Sequence, residues 1–129
     1  MSKFQILLCL LTIISLSCSR DTFEPEDLDC ASDISYNNGV KEILDASCAY
    51  SGCHDGIGGI GPGDYGSYAG MLADLQNGSF ENRVIFQKDD PTFGMPPNVE
   101  IYPQSLVSDL TEEQLDIISC WLEAGFPEN

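Results

Sequence analysis

Positive charge is scarce in this chain: Lys and Arg number 5 against 21 Asp and Glu, a formal net charge of −16 over 129 residues. A surface of that sign repels phosphate backbones and anionic headgroups, so nucleic-acid binding is excluded and basic partners are favoured. Histidine is scarcer still. The chain has one, His54, so no catalytic Ser/His/Asp set can form if that residue is otherwise engaged. Long apolar runs are missing too. Residues 4–16 come closest, but they are broken by Gln5, Thr12 and Ser15 and are too short to span a bilayer comfortably. No internal repeat is visible, which removes the solenoid and propeller architectures.

The apolar run follows Lys3 and reads as the h-region of a signal peptide. It closes in Ile14-Ser15-Leu16-Ser17-Cys18, which resembles the lipobox of bacterial lipoproteins. The resemblance implies cleavage before Cys18, so that residues 1–17 are a signal peptide and Cys18 is the lipidation site. Acyl chains then hold the protein to a membrane in the bacterial cell envelope, on the periplasmic or surface side. A secreted product with an unmodified Cys18 is the alternative. Without Lys3, four basic residues face 21 acidic ones and the expected charge becomes −17. Residues 18–33 are polar and acidic, contain Pro25, and read as a tether. Residues 34–127 make one compact domain.

Period and punctuation predict an all-α domain. Val40, Ile43, Leu44 and Cys48 share one face of a helix expected to begin at Asn37 or Asn38. Residues 55–66 carry six glycines and cannot form a regular helix. A second helix is expected over residues 67–76, where Tyr68, Met71, Leu72 and Leu75 recur at helical spacing before the Asn77-Gly78 stop. Val84-Ile85-Phe86 is apolar but stays open between strand and helix. Residues 91–103 hold four prolines and read as a loop. The last helix is the best marked, with Thr111 and Gln114 forming a capping box and Leu110 stapling against Leu115. Leu115, Ile118, Trp121 and Leu122 make its buried face, and Gly125 with Pro127 ends it. Three helices joined by long loops leave a small domain short of protein to fill its middle. Something other than side chains is expected there.

The chemistry gathers in Cys48-Ala49-Tyr50-Ser51-Gly52-Cys53-His54. Of six cysteines, Cys9 leaves with the signal and Cys18 takes lipid, so Cys30, Cys48, Cys53 and Cys120 remain for cross-links or a site. Two thiols can add to the vinyl groups of a haem as thioethers, and the adjacent imidazole then reaches the iron as proximal ligand. A plain Cys48–Cys53 disulfide, and zinc bound by these three side chains, are the competing readings.

On these residues the chain resembles the c-type cytochrome family, in particular a monohaem cytochrome c-like domain carried on a bacterial lipoprotein. The matching residues are Val40, Ile43, Leu44, Cys48, Gly52, Cys53 and His54. The likeness continues through Gly61-Pro62, Met95-Pro96-Pro97, and Ile118, Trp121, Leu122, Ala124, Gly125 and Pro127, covering about residues 34–127. One departure stands out: four residues separate the cysteines, where most of the family has two. The resemblance implies a cytochrome c-like fold of about three helices with long loops around one covalent haem c.

Met95, in Phe93-Gly94-Met95-Pro96-Pro97, is the expected second axial ligand to the iron, with Gly94 letting the backbone approach the haem. A neutral thioether there favours ferrous iron and raises the potential relative to a second imidazole. Met71 competes, but its place on a helical apolar stripe suits core filling. In the family, a proline placed like Pro62 often supplies the carbonyl that accepts the histidine Nδ1–H; a simple turn proline is the other reading. The family also packs its first and last helices across each other, which implies a Cys30–Cys120 disulfide closing about 90 residues, worth on the order of 4 kcal/mol. Two buried free thiols are the alternative. Trp121 reads as core, and Arg83 as a solvated side chain rather than a partner for a haem propionate.

With His54 and Met95 as axial ligands, the resemblance implies a one-electron carrier rather than an enzyme. Its redox partner proteins are expected to present basic docking surfaces. A haem-free, disulfide-stapled envelope lipoprotein, acting as a binding or structural module, is the rival from another class. A haem sensor or peroxidase-like protein, in which Met95 leaves the iron, is a third.

Overall fold

The computed structural model describes residues 30–56 and 58–129. The expected signal peptide, the expected lipidation site at Cys18 and residues 18–29 of the expected tether lie outside the described residues.

Gly39 decides where the first helix begins. Its φ of 102° lies in the region closed to most L side chains, so α1 (Val40–Ser47) starts two to three residues later than the apolar period predicts. Asn38 instead turns its amide to the Asp33 carbonyl at 2.8 Å. Val40, Ile43, Leu44 and Ser47 form the buried face of α1. Ser67 caps α2 (Tyr68–Gln76) by accepting the Gly70 N–H at 3.2 Å, and Met71 and Leu75 are its buried residues. Tyr68 and Leu72, expected on the same face, are half-buried at its edge.

Asn77-Gly78 does end α2, yet the Asn77 side chain takes the Ser79 N–H at 2.8 Å and starts another turn at once. This short α3 (Ser79–Glu81) runs into a π-helical turn over Asn82–Phe86. Val84-Ile85-Phe86 is therefore helical rather than strand, with Val84 buried and Phe86 71% exposed. In α4 (Glu112–Glu123), Thr111 and Gln114 exchange both capping-box hydrogen bonds, at 2.9 and 3.2 Å. Its buried residues are Ile118, Cys120 and Trp121, while Leu115 and Leu122 pack at the margin of the core. Gly125, at φ 81°, ends it.

α1 packs against α4, and α2 against α3. Trp121 sits at their centre with no exposed surface, its ring edge-on to Phe80 at 6.3 Å and beside Tyr36 and Phe126, each at 6.4 Å. The indole Nε1–H donates to the Pro127 carbonyl at 2.9 Å, so the one buried polar handle of the ring is satisfied. Tyr36 and Asn37 donate their N–H groups to Pro127 and Glu128, tying the start of the domain to its end. Cys30 and Cys120 are joined by a disulfide across a separation of 90 residues, with Cα atoms 5.4 Å apart. Among the described residues there is no strand, only the isolated bridges Ser35–Gly39 and Asp55–Asp64. None of the described helices is long and apolar enough to cross a membrane.

Candidate functional site

Where α1 ends, the chain turns into a cavity of about 370 Å³, a size suited to a bound small molecule. Five residues singled out from the sequence line it together: Cys48, Cys53, His54, Pro62 and Met95. Phe80, Arg83 and Val84 supply the wall from α3 and the π-helical turn, while Pro96, Pro97, Tyr102 and Gln104 supply it from the long loop. Met71 and Trp121 are not on the wall; both are fully buried in the helical core.

Cys48 caps the C-terminus of α1, with its N–H donated to the Leu44 carbonyl at 2.8 Å. The four intervening residues then fold back. Cys53 N–H donates to Tyr50 O at 3.0 Å, His54 N–H to Cys48 O at 3.1 Å, and Gly52 takes the φ of 89° that this reversal needs. The longer spacing is thereby absorbed in a turn, and both cysteines return to one cavity. Both are free thiols, Cys48 buried and Cys53 half-buried. Burial pushes the Cys48 thiol up to about 12, with a smaller contribution from nearby Cys53, so at neutral pH it is protonated and a poor nucleophile.

His54 is held from several sides. Its Nδ1 lies 2.6 Å from the Pro62 carbonyl. A carbonyl accepts and never donates, so Nδ1 carries a proton, and in the neutral tautomer this selects, Nε2 keeps the lone pair. The imidazole stacks on Tyr65 with centroids 4.0 Å apart and planes 9° from parallel. Gly61 lies against the ring as well: a Cβ there would stand 2.5 Å from Nδ1 and 2.6 Å from Nε2. The Gly61-Pro62 pair thus does two jobs, leaving room for the ring and selecting its tautomer.

Across the loop, Met95 donates its N–H to the Arg83 carbonyl at 3.1 Å, which fastens it to the π-helical turn. Its side chain is half-buried against the core. Gly94 is required by its own backbone surroundings. A Cβ at this position would meet the carbonyls of Gln87, Lys88 and Asp90, so the small residue is needed by the turn after the π-helix. The Arg83 guanidinium lies over the Phe93 ring, 5.8 Å from its centroid, and reaches the cavity wall.

Sequence reasoning missed Tyr65, Asp74 and Tyr50. Tyr65 is 7% exposed and donates its hydroxyl to Asp74 Oδ2 at 2.8 Å, while Ser79 donates to Asp74 Oδ1 at 3.1 Å. Burial, then the Asp74 hydrogen bond and charge, push the Tyr65 phenol well above its ordinary range, so it stays a donor. Tyr50 shares a hydrogen bond with Ser105 at 3.1 Å and accepts the Leu106 N–H at 2.8 Å, pinning the long loop to the thiol turn. Tyr65 lies in the Gly-rich stretch 55–66, where no helical period marks it, and Asp74 is a polar position of α2 whose spacing does not point to Tyr65.

The donor set fits a c-type haem. Two thiols, an imidazole with Nε2 free and a thioether share one largely apolar wall. Among the described residues, no three His, Cys, Asp or Glu side chains gather closely enough to hold a bare metal ion. Compared with models of known protein families, with curated proteins and with solved structures, the chain matches none.

Proposed function

We propose that this chain is a one-electron carrier of the bacterial cell envelope, with a cytochrome c-like fold around one covalent haem c. The observation that carries the reading is the convergence of Cys48, Cys53, His54 and Met95 on one cavity, with Nδ1 of His54 engaged by Pro62. Haem iron, when bound, supplies the one-electron couple. Cys48 and Cys53 would hold the macrocycle as thioethers, and Nε2 of His54 and the sulfur of Met95 would ligate its iron. Phe80, Val84 and the Pro96-Pro97 pair would keep water from it. The acidic surface would bring in redox partners with basic docking faces, more slowly as salt rises. Lipid on Cys18 would tether the domain to the membrane.

Purified from cells able to mature c-type cytochromes, the protein should show a low-spin c-type absorption spectrum, with haem retained after acid-acetone extraction. A colourless product with Cys48 and Cys53 bonded to each other would overturn the reading and leave the stapled module. Met95→Ala should lower the reduction potential sharply, and Met71→Ala should not.

A further inference from the structure

We propose that Tyr65 is the positioning residue of His54: its ring sets the plane of the imidazole, while Pro62 sets which nitrogen is free. The inference rests on the haem reading and adds to it a residue outside the ligand set.

One hydrogen bond from Nδ1 leaves the ring a wide swing, because the second torsion of a histidine side chain is broad and only weakly quantised. A parallel aromatic face removes that freedom. Tyr65 provides the face at 4.0 Å and 9°, and it is itself immobilised at four points. Its N–H donates to the His54 carbonyl at 2.9 Å, and its carbonyl accepts the buried Tyr36 hydroxyl at 3.0 Å. Its hydroxyl is anchored on Asp74 at 2.8 Å, and Phe80 packs edge-on at 5.8 Å. Asp74 cannot swing away freely, since Ser79 holds its other oxygen. A side chain that served only to fill the core would not need this polar anchor; leucine would do. The anchor makes sense if the angle of the phenol ring matters, and what that angle touches is His54.

The test compares full-length haem-loaded variants by the electron paramagnetic resonance of the ferric form, by reduction potential and by thermal melting. Wild type should give one sharp low-spin signal. Tyr65→Leu should lose it in favour of a broadened or split one, with a shifted potential. Tyr65→Phe and Asp74→Ala keep a ring at position 65 and remove only its anchor, so they should broaden the signal in the same sense but less. Asp74→Asn retains an acceptor for the phenol and should restore the wild-type signal. If Tyr65→Leu does not fold, the Asp74→Ala and Asp74→Asn pair decides the question alone. Variants that melt early with unchanged signal and potential would reduce Tyr65 to core packing and overturn the proposal, leaving the haem reading intact. A wild type without covalent haem would overturn both.

Discussion

Around Trp121, the side chains of Tyr36, Phe80 and Phe126 meet it within 6.4 Å, and helices from both ends of the domain close over them. Around the cavity, much of the wall beyond α3 and the π-helical turn is loop, held by scattered hydrogen bonds: Tyr50 to Ser105 and Leu106, Met95 to Arg83, His54 to Pro62. The first region gets its rigidity from many dispersion contacts that protein alone supplies. The second has specific geometry at each donor but an apolar hollow in the middle, and its exposed rim includes Ile60 and Tyr102. The contrast teaches that stability and function are divided here. One half is filled by its own side chains, while the other leaves a cavity.

The sharpest break in that comparison is to remove the haem proposed for the cavity half. Cys48→Ala with Cys53→Ala should lose all covalently bound haem. Limited proteolysis should then cut within residues 48–66 and 87–110 while residues 112–123 survive, whereas uniform cleavage would mean the halves are not separable. Trp121→Ala should do the reverse, costing about 3–5 kcal/mol of stability in denaturant unfolding. Replacing Cys120 with Ala opens the link across 90 residues and should cost about 4 kcal/mol by loop-closure entropy. The check is whether wild type, under reducing conditions, melts at the variant's temperature. Gly61→Ala has the smallest global effect, about 1–3 kcal/mol of local overpacking. Because the added methyl falls on the imidazole, it should perturb the haem spectrum out of proportion to its effect on melting. A spectrum unchanged by Gly61→Ala would show that the ring has room the structure denies it.

The two halves also differ in how far they could be read before folding. The faces of α1 and α4 follow from apolar spacing, and the Thr111–Gln114 box from residue type alone, because those interactions lie within a few positions of each other. Apolar spacing places the start of α1 two to three residues early because Gly39 leaves the period intact while its positive φ breaks the helix. The π-helical turn at Asn82–Phe86 is not legible in the sequence, since five residues are too few to show a period. At Gly94 the close approach is by the carbonyls of Gln87, Lys88 and Asp90, since a glycine announces a close approach but not what approaches.

By itself the sequence determined the charge, the helical periods, the caps and the reactive set of two thiols, one imidazole and two candidate thioethers, because each of these is a property of residue type and near spacing. Only the tertiary structure decided that Met95 and not Met71 lines the cavity, that Cys53 returns beside Cys48 despite the longer turn, and that Tyr65 with Asp74 stands behind His54. Those contacts join residues whose separation along the chain carries no signal. They exist only once packing has used up the freedom that the loops would otherwise keep.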